Sequence, residues 1–501
     1  MTMIDIMSTP ALVTIILGSV ALLIPIIDAL NKERGSKNKV YSAIAFGALA
    51  LALVIVIYRI FSGENLPAMS LTNSGVIGDD IFGAFFSIAF LIVSIMVTVS
   101  SWSYMKKKSN HAAYYSLILL SSIGMILIGY STDFVMLLVA WELMSIPTYA
   151  LAAFNKKDPI SNEASIKYFL FGALSSAIIV LAMGIVYGLT GTTNIYDSIV
   201  AMSHLNPDLI PFGLLAVGLF IAGFGFKMGL VPFHMWLPDT YSGAPTTIAT
   251  LLAAGTKKAG FAAAIRVIVI GMIALNVHWT FTLAIIAIFT MTLGNLGALT
   301  QKSIPRILAY SSIAQAGYIL IGLAVGPYSD YGLDASLLQI MNHAVMKSAA
   351  FIAAAGVIIT LAAYTLEKYK GLGYRMPITA FVFAISLLAL AGVPPLSGFW
   401  GKYLIFGAAI DSGQVIWWGP YLAIAGILNS ALSLGYYAWI IRKMYMEEGE
   451  NRVRQKEPKS IVAVLIFALG FMIVFGIWYG PLLDLASMAV PNDLIHLLGA
   501  N

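Results

Sequence analysis

The chain has 501 residues, of which 60% are hydrophobic and only 10% are charged. A water-soluble globule with a polar exterior cannot be made from this composition, which predicts an all-α, polytopic protein embedded in a lipid bilayer. The net charge of +5 lies in loops between apolar runs, so it describes how those loops are oriented and gives no basis for binding nucleic acid.

The sequence lacks the usual ligands of redox cofactors. It has no cysteine to hold an iron–sulfur cluster, and its six scattered histidines include no pair that recurs on one helix face to ligate haem. There is no Walker A loop and no dinucleotide-binding glycine motif. We therefore expect no cofactor and no metal on this chain, and we interpret the Asp79–Asp80 doublet as an outside-facing helix cap.

Runs of roughly twenty apolar residues predict about fourteen membrane-spanning helices. Their approximate cores are 11–29, 40–61, 81–103, 113–130, 133–154, 164–189, 209–237, 246–273, 279–298, 304–325, 335–362, 377–410, 416–441 and 460–485. The Met1–Pro10 segment has no basic stretch typical of a signal peptide, so residue 1 is expected to remain on the mature protein.

The charges of the loops alternate along the chain. Loops after odd-numbered spans are basic, with Lys32, Arg34, Lys37, Lys39, Lys106, Lys107, Lys108, Lys156, Lys157, Lys302, Arg306, Lys368, Lys370, Arg375 and the run 442–459. Loops after even-numbered spans are acidic, with Glu64, Asp79, Asp80, Asp133, Asp197, Asp208, Asp330, Asp334 and Asp411, and Arg59 is the one basic exception. The positive-inside rule then predicts a multi-pass cell-membrane protein whose odd loops are cytoplasmic and whose termini both lie outside.

Spans seven and twelve are interrupted by glycine and proline, and each interruption lies beside a lysine, Lys227 or Lys402. These residues predict broken helices near mid-membrane. Two broken helices in corresponding halves indicate inverted five-helix repeats. We therefore predict an N-terminal three-helix segment (1–112), a first repeat (113–273), a second repeat (274–443), and a basic cytoplasmic loop with a final helix (444–501).

Glu142 in span five and Lys227 in span seven are ionisable residues within apolar spans. A buried unpaired charge is costly, so such residues are expected to be functional and to have partners. The alternative is a static structural ion pair, although such pairs are poor stabilisers.

Five motifs resemble those of a known family. They are GFKMGLVPFHMWLPDTYSGAP at 225–245, WEL at 141–143, KK at 257–258, NHAVMK at 342–347 and LSGFWGK at 396–402. With them, nearly the whole chain resembles the antiporter-like proton-pumping subunits of respiratory complex I. The resemblance favours the N-type subunit, because no sequence remains after Leu485 for the lateral helix of the L-type, and Lys402 stands where the M-type usually has glutamate.

The resemblance implies a function and a set of partners. The chain is expected to move protons within a complex I-type oxidoreductase, beside other antiporter-like membrane subunits and peripheral electron-input subunits that carry flavin and iron–sulfur clusters. Such complexes take electrons from NADH, ferredoxin or a reduced deazaflavin and pass them to a quinone-type carrier; the chain is similar to the methanogen deazaflavin dehydrogenases that reduce methanophenazine. No residue identifies the donor. The alternative function is a subunit of a multisubunit cation/proton antiporter.

The resemblance also implies roles in the first half. Glu142 and Lys227 are expected to form an ion pair, so that movement of the carboxylate loads or releases a proton. Lys167, near the cytoplasmic start of span six, is expected to compete for Glu142; the alternative is a lysine that snorkels to the headgroups. His234, beside Asp239, either gates proton entry or shapes the turn at Pro238.

The remaining candidates continue the relay toward the second half. Lys257 and Lys258 are adjacent and point about 100° apart on a helix, so we expect one to be the relay and the other accessory, with Lys257 favoured by the resemblance. His343 and Lys347 share one helix face. They are implied to join the halves, and a histidine that only packs is the alternative for His343. Lys402 is the expected exit carrier, against an interfacial anchor.

Overall fold

The computed structural model describes residues 8–30, 38–62, 66–69, 75–106, 108–449 and 453–491. The loop positions Lys32, Arg34, Lys37, Glu64 and Lys107 lie outside these ranges. Within them the protein is helical, and β structure is limited to three isolated bridges, such as Asp133 with Asn194. The predicted all-α class is confirmed.

The number of predicted spans is also confirmed. The described residues contain thirteen helical segments long and apolar enough to cross a membrane, and the two short helices of span twelve complete the set of fourteen. In chain order the spans are Thr9–Leu30, Asn38–Phe61, Ile81–Met105, His111–Tyr130, Phe134–Ala152, Pro159–Thr190, Ile210–Met228 with Trp236–Gly243, Thr246–Ile270, Asn276–Thr300, Ile304–Val325, Gly332–Leu361, Pro377–Ala391 with Ser397–Asp411, Gly419–Met446 and Lys459–Ile477.

Aspartates cap the starts of several spans. Asp80 accepts a hydrogen bond from the Gly83 amide (2.7 Å) and so caps span three, as predicted from the doublet. Its neighbour Asp79 accepts from the Thr9 amide (2.8 Å) and lies 3.8 Å from the Arg59 guanidinium. The one basic residue in an acidic loop therefore lies beside a carboxylate.

Spans seven and twelve are broken, as predicted. The first helix of span seven ends at Gly229 and that of span twelve at Gly392, with φ of +66° and +89°. Only glycine adopts this left-handed conformation without a steric cost, and it ends helices for that reason. In both halves the broken span is the fourth of five, which is the order expected of two repeats.

Span eight lies at the centre of the molecule and is buried along its whole length. It contains two π-helical segments, Leu251–Thr256 and Ile265–Ile270. Arg266 in the second segment pairs with buried Asp80 (2.9 Å) and donates to the Gly129 carbonyl (2.6 Å). This buried ion pair, which joins span eight to the start of span three, was not predicted from the sequence.

Candidate functional site

Six buried basic side chains lie on spans seven, eight, eleven and twelve. They are Lys227, Lys257, Lys258, His343, Lys347 and Lys402, each at most 4% exposed. Their hydrogen-bond partners within the described chain are hydroxyl groups, backbone carbonyls and one another. None of the six forms an ion pair with a described carboxylate. Protonation of one member therefore disfavours protonation of its neighbours, because like charges repel.

Lys227 is held in an aromatic cage. Its ammonium donates to Ser145 Oγ (3.0 Å) and to the Tyr168 hydroxyl (2.8 Å). The rings of Trp141, Tyr149 and Tyr168 lie 5.9, 5.6 and 4.9 Å from Nζ. Ring faces attract a cation, so the cage can stabilise a charged lysine without a bound carboxylate.

Glu142 does not form the predicted ion pair with Lys227 in this structure. Its half-buried carboxylate instead accepts a hydrogen bond from Ser176 on span six (2.5 Å). Ser145, which holds Lys227, lies three residues after Glu142, about one helical turn along the same face. Lys227 and Glu142 thus have separate partners in this structure.

Lys167 pairs with a different carboxylate from the one expected. Its ammonium lies 2.8 Å from Asp239 and 2.7 Å from Glu163, and the side chain is 38% exposed. Ser176, the partner of Glu142, lies nine residues further along span six, about 13.5 Å at 1.5 Å per residue. That separation explains why Lys167 does not contact Glu142, and the expected competition is not seen.

Asp239 joins span seven to spans six and ten. In addition to Lys167 from span six, it accepts from Arg306 at the start of span ten (2.5 Å). Asp239 itself belongs to the second helix of span seven. His234 lies within the break, half-buried, and its Nδ1 makes no hydrogen bond to any described residue.

Lys257 and Lys258 are both buried and reach different partners, as expected of adjacent residues that point about 100° apart. Lys257 donates to the Ser312 carbonyl on span ten (2.6 Å). Lys258 donates to the Ala253 carbonyl (2.9 Å) and contacts His343 Nδ1 on span eleven (2.5 Å). Lys257 thus reaches span ten and Lys258 reaches span eleven, because adjacent residues on a helix point about 100° apart.

His343 and Lys347 lie on one face of span eleven, as predicted. Lys347 donates to Ser311 Oγ (2.7 Å), which in turn contacts the Tyr437 hydroxyl (2.5 Å). Since Ser311 is adjacent to Ser312, one turn of span ten serves both Lys257 and Lys347. The structure therefore brings the predicted basic residues of spans eight and eleven together.

Lys402 lies in the second helix of span twelve, after the break. Its ammonium donates to the Ala391 carbonyl (2.9 Å) and Ser430 Oγ (3.0 Å), and it lies 4.5 Å from the centre of the Tyr318 ring. A largely apolar cavity of about 610 Å³ borders it. The Lys402 side chain is only 4% exposed. This burial contradicts the alternative that Lys402 is an interfacial anchor.

Two side-chain amides, Gln315 and Gln339, lie between Lys347 and Lys402 and were not among the residues predicted from the sequence. Gln315 donates to the Leu390 carbonyl (2.7 Å), next to the carbonyl that Lys402 contacts, and Gln339 donates to Gln315 (3.2 Å). Ser145 and Tyr168 were likewise not among the residues predicted from the sequence. Their polarity within apolar spans could have identified these residues, because polar residues in such spans are rare and face the protein interior.

The arrangement can carry protons but holds no evident metal site. No group of three or more histidine, aspartate or glutamate side chains that could hold a metal occurs in the described ranges. Lysine, histidine and hydroxyl groups alternate as proton donors and acceptors along the row. Such a row is suited to proton transfer.

Residues 131–430 match the family model described as NADH:quinone oxidoreductase/Mrp antiporter, TM. The chain is 38% identical to the F(420)H(2) dehydrogenase subunit N of Methanosarcina mazei over 494 residues, covering 96% of this chain and 97% of that protein. It is 36% identical to the NADH-quinone oxidoreductase subunit N of Desulfitobacterium hafniense, covering 92% and 93%.

Solved structures agree with the sequence relatives. A chain of respiratory complex I from Thermus thermophilus is similar with a TM-score of 0.78 and 28% identity, covering 95% of this chain and 99% of that one. A chain of the archaeal membrane-bound sulfane sulfur reductase has a TM-score of 0.84 and 27% identity, covering 97% of both. The resemblance seen in the motifs is confirmed, and the chain belongs to the NADH:quinone oxidoreductase/Mrp antiporter transmembrane family.

Proposed function

We propose that this chain is the N-type, proton-translocating membrane subunit of a complex I-type oxidoreductase. The observation that carries the proposal is the buried row of basic side chains from Lys227 to Lys402, which crosses from one broken span to the other. Burying a row of basic side chains costs free energy, so such a row is expected only where it has a function. The names of the relatives, both subunit N of dehydrogenases, support the same assignment.

The proton path begins beside the first break. Protons enter at the edge marked by Asp239 and His234 and reach Lys227. Gly229 brings the break close to the next carrier, since a Cβ on that residue would lie 3.3 Å from Lys257 Nζ. The lysine of span seven therefore passes its proton toward span eight.

The second part of the path crosses between the halves and ends at the second break. Lys258 and His343 are in direct contact, and Lys347 follows one turn later on span eleven. Gln339 and Gln315 then lead to Lys402, from which protons leave. We assign the relay to Lys257 and Lys258 in succession, because each contacts a different side of the row.

Glu142 regulates the loading of Lys227 with a proton. In the arrangement seen here Lys227 relies on Ser145 and Tyr168, while Glu142 is bound to Ser176. A shift of Lys227 by about one turn would bring it to the carboxylate, which favours the charged lysine. Alternation between these two partners would load and release a proton.

The assembly follows from the same assignment. The chain would lie beside other antiporter-like subunits, while peripheral subunits with flavin and iron–sulfur clusters transfer the electrons. The segments 1–112, 113–273, 274–443 and 444–501 are proposed as its structural units. It would lie in the cell membrane with both termini outside.

The orientation has a direct test because the chain has no cysteine. In sealed cells, Asp330→Cys should react with an impermeant thiol reagent, and Lys368→Cys should react only after the membrane is opened. The reverse pattern would contradict the orientation. Glu64→Cys and Lys107→Cys extend the test to loops outside the described residues.

The function is tested by proton uptake per electron pair in vesicles that contain the whole complex. Lys227→Met should lower uptake without loss of assembled complex, whereas Lys156→Met, at an exposed loop position, should leave it unchanged. Wild-type proton uptake in the assembled Lys227→Met complex would contradict the proposal.

A second candidate is a subunit of a multisubunit cation/proton antiporter. The family description names Mrp antiporters, and a chain of the Mrp complex from Dietzia shares the fold with a TM-score of 0.84 at 20% identity. Native purification distinguishes the two, because only the first assembly should contain iron–sulfur subunits. Sodium-dependent transport without such subunits would favour the antiporter.

A further inference from the structure

A basic cavity lies where the last span begins, away from the buried row. Its volume is about 470 Å³, and it is lined by the cations Arg454, Lys456 and Lys459 together with the apolar side chains Ile378, Val462 and Ile466. The segment before the span is held in place by a hydrogen bond from the Gln455 amide to the Arg375 carbonyl (2.8 Å). The cations are therefore presented by an ordered segment.

These three cations have no ion-pair partner among the described residues. Nearby basic side chains on the same face behave differently, because Lys370 and Lys443 both pair with Glu367, at 2.7 and 2.8 Å. Their hydrogen bonds lower the pKa of Glu367 to about 2. The positive charges of Lys370 and Lys443 are thus neutralised by Glu367. Those of the three cavity cations are not.

The one carboxylate that lines the cavity is already engaged. Glu457 accepts from the amides of Ile378 (3.1 Å) and Thr379 (2.7 Å) and from the Thr379 hydroxyl (2.6 Å). It caps the start of span twelve, where the orphan amides need an acceptor. Both of its oxygens therefore serve the helix end and not the three cations.

The position of the cavity identifies the chemistry of its ligand. Lys459 is the first residue of span fourteen, so the cations lie where the helix enters the membrane. Ile466 is 54% exposed and lies seven residues deeper, about 10.5 Å along the helix. A ligand that matches both ends carries a negative charge at the interface and an apolar chain below it.

We propose that this cavity binds the phosphate headgroup of an anionic phospholipid, with an acyl or isoprenoid chain over Ile378, Val462 and Ile466. The helix start strengthens the anion site, because no side chain caps span fourteen and its first-turn amides remain available. The lipid would then lie against the starts of spans twelve and fourteen. This inference does not depend on the proposed function.

The test uses the full chain, in its complex or alone in nanodiscs, with one fluorophore on Ile466→Cys. Quenching by spin-labelled phosphatidylglycerol is compared with quenching by spin-labelled phosphatidylcholine at the same mole fraction. We expect the anionic lipid to quench more strongly. Each cation removed should lower its association about fivefold, the factor expected for one basic residue near an anionic surface.

Three variants make the result specific. The change of Arg454, Lys456 and Lys459 to Gln should abolish the preference, while Arg454→Lys with Lys456→Arg and Lys459→Arg should keep it. A matched triple, Lys106→Gln with Lys156→Gln and Lys157→Gln, alters net charge equally at exposed loop positions and should also keep it. The charge-conserving triple shows whether the segment still folds.

Two outcomes would overturn the proposal. Equal quenching by both lipids in the unaltered cavity would exclude a headgroup site, and so would an equal loss in the matched triple. Excess inorganic phosphate separates the two sources of the anion. A site for free phosphate alone would show equal quenching by the two lipids, whereas a lipid preference that excess phosphate weakens at constant ionic strength shows that the lipid headgroup occupies the phosphate site.

Discussion

The two broken spans place a lysine beside a left-handed glycine, but they surround it differently. In the first half Lys227 precedes its break and lies in a cage of aromatic rings, where it donates to Ser145, three residues after Glu142 on span five. In the second half Lys402 follows its break and is held by the Ala391 carbonyl and Ser430. The first site therefore has a carboxylate on the same helix as one of its hydroxyl partners, whereas the described hydrogen-bond partners of the second are a carbonyl and a hydroxyl group.

This difference suggests a division of labour. A carboxylate can stabilise a buried ammonium strongly in one position and weakly in another, so the first half can be switched. Neutral partners change less, so the second half is suited to receiving and releasing a proton. Span ten, which corresponds in order to span five, carries Gln315 and two serines in place of a carboxylate.

The largest effect is expected where the two halves meet. Lys257→Met and Lys258→Met should each lower proton transfer by about a hundredfold or more, the contribution typical of a positioned proton donor. Proton uptake by reconstituted complex measures it, with Lys157→Met as an exposed control. If one of the two variants transfers protons normally, that lysine is accessory and the other is the sole relay.

The next effect concerns the carboxylate of the first half. Glu142→Gln keeps the side-chain volume but removes the charge, and we expect proton uptake to fall by about tenfold or more because loading of Lys227 fails. The double variant with Lys227→Met should be clearly less than additive, since both changes disable one element. Asp208→Asn, at an exposed position between spans six and seven, is the matched control.

Two results would contradict this role of Glu142. One is a fully assembled Glu142→Gln complex with the wild-type proton yield and turnover. The other is strict additivity with Lys227→Met, which would mean that the two residues act independently.

A third experiment introduces a carboxylate into the second half, where span ten has none near Lys402. Gln315→Glu places a carboxylate near Lys402, and an added attraction of about 1.4 kcal/mol would slow proton release about tenfold. Gln315→Met controls for the lost hydrogen bond to Leu390. Single-turnover proton release in vesicles measures the change, and equal rates in the two variants would argue against a charge effect.

The smallest effects should come from the two glycines. Gly229→Ala and Gly392→Ala force alanine into a left-handed conformation, which costs about 1–2 kcal/mol each. The added Cβ would also lie 2.6 Å from Leu237 in one case and 3.1 Å from Lys402 in the other. Thermal unfolding in detergent should show both losses, whereas Gly218→Ala, which has open space within a helix, should not be destabilising.

The sequence by itself determined the helical class, the fourteen spans and the two breaks. These features depend on local physics: twenty apolar residues span a bilayer, and glycine with proline interrupts a helix wherever they occur. The basic row could also be listed, because charges within apolar runs stand out. Asp80 as a cap followed from a local rule.

Only the tertiary structure decided which partners these residues have. Lys167 contacts Asp239 and not Glu142, and Lys257 and Lys258 both face the interior. The buried pair of Arg266 with Asp80 joins residues 186 positions apart, and nothing local specifies it. Partners are set by helix rotation and depth, which come from packing across the whole molecule. The same packing places Lys227 in a cage of aromatic rings and Lys402 against a backbone carbonyl.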